Sequence, residues 1–206
     1  MKKGALGCGI AAIVVIAIVI IVGFMVGPGF YNKAIDLKED ATAQWANVES
    51  SYQRRADLIP NIVKTAQGYA DFERETFVKV IEARSKATSI TIDPSNITPA
   101  QLEQFQQAQQ GLTSALSRLL AVFERYPDLK ANENFKELIN ELERTENRIN
   151  VERNRFNEAV KPFNKHLKSF PNNIINNFIG NYEDMGYFEA DQGTENAPDV
   201  EFDFGN

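Results

Sequence analysis

The chain has 206 residues, a formal net charge of −6, one cysteine and one histidine. A single cysteine excludes an intrachain disulfide, and a single histidine excludes a His-based triad or a multi-histidine metal centre. The last segment, Glu189 to Asn206, holds six acids and no Lys or Arg, so it carries the whole net charge. The neutral body then offers no basic face for nucleic acid.

The first element is an anchor. From Gly4 to Asn32 no residue is charged, and IAAIVVIAIVIIVGFMV, Ile10 to Val26, is almost wholly aliphatic. With GALGCG before it the run exceeds the ~20 residues that cross a ~30 Å hydrocarbon core. Residues 1–28 are therefore expected to form a transmembrane helix. A cleaved signal peptide is the competing reading. The run is longer than the ~7 to 15 residues of a signal h-region, and VGPGFYN contains no A-x-A-like cleavage site. Lys2 and Lys3 precede the span and Lys33 and Lys38 follow it, so basic residues alone decide its orientation weakly. The start resembles an uncleaved signal anchor. The expected arrangement is a single-pass protein of the cell membrane, with its N-terminus cytoplasmic and its large domain extracytoplasmic.

Past Gly27-Pro28-Gly29, read as a break between helices, apolar residues recur at three and four. Trp45, Val48, Tyr52, Ala56, Ile59, Val63, Ala66, Ala70, Phe77 and Ile81 follow that spacing with one gap, at Glu73. This predicts one amphipathic helix over roughly Phe30–Ala87. TSITIDPSNITPAQ reads as a loop, closed by Thr98 as N-cap with Pro99 in the first turn. A second helix runs to about Arg125, with Leu102, Phe105, Gln109, Leu112, Leu116, Leu119, Leu120 and Phe123 on one face. A third spans about Asn134–Ser169, striped by Phe135, Leu138, Leu142, Ile149, Phe156, Val160, Phe163, Leu167 and Phe170 and interrupted late by Pro162. FPNNIINNFIG suggests a turn capped by Asn172 and a short fourth helix. YEDMGYFEA ends the ordered body, and residues 189–206 read as a disordered acidic tail. Residues 29–188 are thus expected to be an all-α domain: an antiparallel bundle of three long helices plus a short fourth one.

The stretch RRADLIPN, Arg54 to Asn61, sets a proline inside the first helical pattern. At ~100° per residue Arg55 falls at the edge of the buried stripe, as does Glu73, while Arg54 and Asp57 point away. The same wheel sets Glu146 and Arg153 of the third helix beside Ile149 and Phe156. Arg55, Glu73, Glu146 and Arg153 are therefore candidate interhelical ion pairs that fix register. Pro60 removes a helix hydrogen bond to the Ala56 carbonyl, which predicts a kink or a restart there with Asp57 as its cap. Arg54, Asp57, Asn61 and the turn YPDLKANENF are candidate partner contacts.

By this point three blocks carry a resemblance: YNKAIDLKEDATAQWANVESSYQRRADLIPNIVKTAQGYADFERETFVKVIEAR, LSRLLAVFERYPDLKANENFKELINELERTENRINVERNRFNEAVKPFN and FPNNIINNFIGNYEDMGYFEA. They resemble the characteristic blocks of bacterial LemA family proteins. The resemblance implies a helical-bundle domain on an N-terminal membrane span, without a recognised catalytic site or an agreed activity. The chain is also similar to a magnetosome-associated membrane protein of that family, which keeps organelle or envelope organisation among its roles.

Other chemical signals do not assemble. DFG at Asp203–Gly205 has no glycine-rich loop, strand lysine or catalytic loop to accompany it. His166 near a helix end reads as a surface or capping group, and the spread acids of the tail fit no calcium-loop template. No cofactor and no metal is expected. The sequence predicts a non-catalytic, membrane-anchored scaffold or adaptor that binds a protein partner or self-associates. The alternative is a sensor that relays a ligand signal through its kinked first helix.

Overall fold

In the computed structural model of the chain the described backbone covers residues 3–68 and 73–189, and the first helix has described side chains at 13–17, 21, 23 and from 27 onward. All the regular elements among these residues are helical. Helix α1, Lys3–Gln67, buries Phe30, Ala34, Leu37, Ala41, Trp45, Val48, Tyr52, Ala56, Ile59, Val63 and Ala66 on one face, the stripe that the three-and-four spacing specifies. The expected break at Gly27–Gly29 is absent, for α1 passes through Pro28 without interruption. It passes through Pro60 in the same way, so no restart occurs there. Asp57 caps nothing; its carboxylate accepts from Gln53 Nε2 at 2.8 Å.

The single helix expected over Phe30–Ala87 is instead a helical hairpin. Helix α1 ends at Gln67, and helix α2, Arg74–Ser89, runs back along it, bringing Arg84 to within 3.9 Å of Asp57. The one gap in the periodicity, Glu73, marks this reversal. Ala70, placed on the stripe by its spacing, lies outside the described residues. Ile81 is 40% exposed, because α2 buries a narrower face of Phe77, Val80 and Ala87.

Helix α3, Pro99–Phe123, opens with a capping box: Thr98 Oγ1 accepts from Gln101 N at 3.3 Å and Gln101 Oε1 from Thr98 N at 3.2 Å. Helix α4, Pro127–Ala131, is a single turn within YPDLKANENF. Helix α5, Glu133–Lys168, is capped by Asn132, whose Oδ1 accepts from Phe135 N at 2.9 Å, and it continues through Pro162. Helix α6, Asn172–Ile175, and a π-helical turn, Asn176–Gly180, follow. Asn172 caps neither, its amide meeting His166 Nδ1 at 3.1 Å. Asn181 then turns the chain in the left-handed region at φ 47°, where asparagine is tolerated.

Helices α1 and α5 are antiparallel, with His166 stacked on Phe30 at one end and Glu146 opposite Arg55 further along. Helices α2 and α3 are also antiparallel, Phe77 meeting Phe123 and Ala87 meeting Gln109. The bundle therefore has four helices, but the second has only 16 residues and covers only the half that contains Ile59, Leu116, Phe123 and Phe135. In the other half, around Trp45, Phe105, Phe156 and Phe163, the missing helix is replaced by an extended strap, residues 181–189. Met185 and Phe188 of the strap are buried, and Phe188 stacks on Trp45 with ring centroids 6.1 Å apart. Burial of side chains of this size stabilises by roughly 1.5–3 kcal/mol each.

Phe170, placed on the buried stripe by its spacing, is 81% exposed. Helix α5 stops two residues earlier, so the helical phase no longer applies there. Among the described residues no helix is long and apolar enough to cross a membrane. The span expected over residues 1–28 falls mostly on residues whose side chains lie outside the description, as does the acidic tail beyond Glu189.

Candidate functional site: an amide-lined cleft between α3 and α5

Because α1 packs on α5 and α2 packs on α3, the α3 and α5 faces opposite α2 stay apart and leave a cleft of about 580 Å³. Its walls are mixed: Gln106, Gln110, Thr113, Ser114 and Ser117 on α3 face Glu143, Asn147, Asn150 and Arg153 on α5, with Leu116, Leu120, Leu142 and Ile149 between them. Its floor is α1, through Tyr52 and Arg55.

Arg55 is the fixed point of the site, only 1% exposed. Its Nη1 donates to Glu146 Oε1 at 2.9 Å and to Thr113 Oγ1 at 2.9 Å, and its Nη2 donates to Gln109 Oε1 at 2.6 Å. The guanidinium carbon stands 5.1 Å from the Tyr52 ring centre. One cation thus ties α1 to both walls, with the charge-assisted bonds that a buried guanidinium requires. Among the described residues its Nε, buried, meets no hydrogen-bond partner, and the same holds for Trp45 Nε1 and Glu152 Oε2.

The other two expected pair members differ in place: Glu73 lies away from the cleft, and Arg153 lines it. Glu73 sits at the turn before α2, 3.3 Å from Arg125 Nη2 and 3.3 Å from the Tyr126 hydroxyl, and does not meet α5. Its place in the stripe was read from a helix that the chain does not form there. Arg153 holds the strap: its Nη2 donates to the Glu189 carbonyl at 2.7 Å, and its guanidinium covers the Phe188 ring at 5.0 Å. Arg54, Asp57 and Asn61 are exposed on α1, and at ~100° per residue they lie across the helix from Arg55, away from the cleft. Arg54 Nε donates to Glu141 Oε1 at 2.9 Å. In YPDLKANENF, Leu129 and Phe135 are buried and the residues between them are mostly exposed.

The lower part of the same cleft is filled by the strap, and it is held in a way that helical periodicity does not reveal. Four side-chain amides each exchange two hydrogen bonds with one strap residue. Asn164 Nδ2 donates to Met185 O at 2.8 Å while Met185 N donates to Asn164 Oδ1 at 2.9 Å. Asn157 does the same with Phe188, at 2.8 and 2.9 Å, Asn176 with Tyr182, at 2.9 and 3.0 Å, and Gln106 with Glu189, at 2.9 and 3.3 Å. Each amide presents the donor and acceptor of a neighbouring β-strand, so an extended backbone is satisfied without a sheet. Gly186 completes the fit, since a Cβ there would come within 3.0 Å of Pro99 Cα and 3.2 Å of Leu102 Cβ.

Two ionisable groups secure the strap's start. Burial, with Tyr31 nearby, pushes the Tyr182 phenol above its usual value. The hydrogen bond and charge of Asp184 hold the Lys168 ammonium above its own. Of the four amides only Asn164 left a signal in the sequence, as a buried polar residue on the α5 stripe; Gln109, which receives Arg55, left the same signal on α3. Among the described residues no group of three His, Cys, Asp or Glu side chains gathers closely enough to hold a metal.

The LemA family profile matches residues 44–202, which takes in the cleft and the strap together. The chain belongs to the LemA family. Relatives of similar sequence include magnetosome protein MamQ 2 of Paramagnetospirillum magneticum, 27% identical over 86% of this chain and 72% of its own length. Magnetosome protein MamQ of Magnetospirillum gryphiswaldense is 26% identical over 68% of this chain and 58% of its own length. Protein LemA of Metamycoplasma hominis is 26% identical over 70% of this chain and 62% of its own length. As a LemA family chain, this protein has a body that is helical in all its regular described elements, and the family match runs across the cleft and the strap.

Proposed function

We propose that this protein is a non-catalytic scaffold or adaptor, anchored in the cell membrane by residues 1–28 with its bundle outside the cytoplasm, that holds a protein partner in the α3–α5 cleft. The observation that carries the reading is the strap. Gln106, Asn157 and Asn164 bind extended backbone by paired amide hydrogen bonds. Above Glu189 the cleft continues with Gln110, Asn147 and Asn150, the same side-chain chemistry. A partner entering there as an extended segment would meet the same donors and acceptors, and main-chain recognition of this kind supplies affinity with little dependence on sequence.

The anchor rests on the charge-free run from Gly4 to Asn32 and on its exposure: Ile13, Val14, Val15, Ile16 and Ile21 are each more than half exposed among the described residues. A helix apolar on all sides needs a buried or lipid environment. Three relatives bear the name magnetosome protein.

The test places a photo-crosslinking residue at Ser114 or Asn150 in the cleft, or at Asn61 across α1, in the intact membrane. The reading expects one protein captured from both cleft positions and not from Asn61. Capture from Asn61 alone would move the partner to the Arg54–Asp57–Asn61 face.

A sensor is the second reading, favoured by the continuity of α1 from Lys3 to Gln67, which joins the apolar run to the floor of the cleft in one helix. It requires a small molecule that raises the melting temperature of the protein, and a scaffold requires none.

A further inference from the structure

The end of the bundle nearest the apolar run carries a second feature that the cleft does not explain. Between Lys168 and Glu183 no residue is charged. In that stretch Phe170 is 81% exposed, Phe178 83%, Ile179 63% and Ile174 47%, with Tyr31 beside them at 49%. Apolar side chains exposed together on a soluble surface mark a place where something else binds.

Three contacts fix where this patch lies along α1. His166 stacks on Phe30 at 5.0 Å, His166 Nε2 meets the Phe30 carbonyl at 3.1 Å, and Tyr182 packs on Tyr31 at 6.3 Å. Phe30 is four residues past Val26, the end of the aliphatic run, or about 6 Å at ~1.5 Å per residue. The headgroup layer on each side of a bilayer is about 5–7 Å thick. Helix α5 runs antiparallel to α1 and ends at Lys168, two residues past His166, and Gly180 stands beside the Phe30 ring. The turn between them therefore leaves from and returns to the level of Phe30, at the end of the bundle that faces the run.

We infer that the segment Phe170–Ile179 is a lipid-contacting foot: Phe170, Ile174, Phe178 and Ile179 insert into the headgroup–acyl boundary of the membrane in which α1 is anchored. The inference rests on the anchor proposed above and adds a second point of attachment to it. The chemistry fits that depth. Aromatic and aliphatic side chains enter the boundary, and the amides of Asn173 and Asn177 remain among the headgroups. Phe178 and Ile179 are consecutive residues of the π-helical turn Asn176–Gly180. Two attachment points fix the tilt of the bundle, and with it the direction in which the α3–α5 cleft opens above the membrane.

The experiment uses the full chain with Cys8→Ser, reconstituted in mixed phosphatidylcholine and phosphatidylglycerol vesicles. A single spin label is placed at Phe170→Cys, Phe178→Cys, Ile16→Cys or Val151→Cys. Phe170 and Phe178 are so exposed that the label leaves the fold intact, which Trp45 fluorescence checks. The expected result is a ratio of oxygen to nickel-chelate accessibility at 170 and 178 that is several-fold above that at Val151, with Ile16 higher still. Labels at 170 and 178 as open to the chelate as Val151, with Ile16 still in lipid, would overturn the foot and leave the anchor. A chelate-accessible Ile16 would overturn the anchor and the foot with it. Strong spin–spin broadening at 178 without lipid protection would assign the patch to a contact between two copies and overturn the lipid assignment.

Discussion

Arg84 of α2 donates its Nε–H to the carbonyl of Ala56 in α1 at 2.7 Å. That carbonyl lacks its helical donor because the residue four positions on, Pro60, has no N–H. The proline in RRADLIPN thus lies inside a continuous helix and starts no new one. It frees one buried acceptor, and the returning arm of the hairpin supplies the donor. Arg84→Met should cost about 1–3 kcal/mol, the usual penalty for stranding such a group. In a Pro60→Ala background the new N–H satisfies Ala56 within the helix, and the cost should shrink. A double-mutant cycle in urea measures the coupling; additive losses would dissociate the two residues.

Arg55 and Arg54 are neighbours in sequence with opposite expectations. Arg55 is buried and shared by Glu146, Thr113 and Gln109, so Arg55→Ala leaves several polar groups unpaired and should destabilise by about 3–5 kcal/mol. Arg54 is exposed, and its pairing with Glu141 is screened by water, so Arg54→Ala should cost about 1 kcal/mol or less. Equal losses in parallel urea melts would refute the assignment.

The helical parts of this fold were legible because burial on a helix repeats at three and four, as the α1 stripe from Phe30 to Ala66 and the α5 stripe from Phe135 to Leu167 do. Continuity was harder to read. Pro60 looks like a break until the donor on Arg84 is known, whereas the real reversal, before Arg74, is marked only by one misplaced acid at Glu73. The strap was illegible for a different reason. Its backbone partners are Asn and Gln side chains spread from Gln106 to Asn176, and no local pattern announces that they converge. Arg55 and Glu146 were legible as charges at the edges of apolar stripes; which charges meet, and the cleft above Arg55, were not, because two walls that fail to touch leave no periodic trace.

The amide pairs make a prediction of their own. Asn164→Leu removes both hydrogen bonds to Met185 and leaves a buried N–H and C=O unsatisfied, with an expected loss of about 1–3 kcal/mol. Asn164→Asp keeps the acceptor for Met185 N and loses only the donor, so it should fall between wild type and leucine. Hydrogen exchange at the Met185 amide ranks the three, and a slow-exchanging leucine variant would contradict the pairing.

Gly186 has no room for a methyl group, with the Pro99 backbone at 3.0 Å and Leu102 at 3.2 Å. Gly186→Ala should lift the strap from the start of α3 and destabilise by about 1–3 kcal/mol, the usual cost of overpacking. Gly111 is the control, since a Cβ there meets nothing within 4 Å. In mid-helix, Gly111→Ala should stabilise by about 0.5–1 kcal/mol. Thermal melts of the two variants that shift in the same direction would contradict this account of the strap.

Alkaline pH should release the strap before the bundle unfolds. Burial raises the Tyr182 phenol and Asp184 raises the Lys168 ammonium, so the folded strap favours the protonated form of both groups. A group whose folded value is raised contributes its stability in full below the unfolded value, near 10 for tyrosine and 10.5 for lysine, and loses it as pH climbs through the folded value. The two contributions have the same sign and fade in the same window, above about pH 10. Trp45 is the only tryptophan and is stacked on Phe188, so its fluorescence reports directly on the seated strap. Titration from pH 8 upward should show a Trp45 transition that precedes the loss of far-ultraviolet helical signal. Tyr182→Phe cannot ionise and should move that transition to higher pH. If Trp45 and the helical signal change together in both proteins, the strap is not a separate unit and the alkaline step belongs to the bundle as a whole.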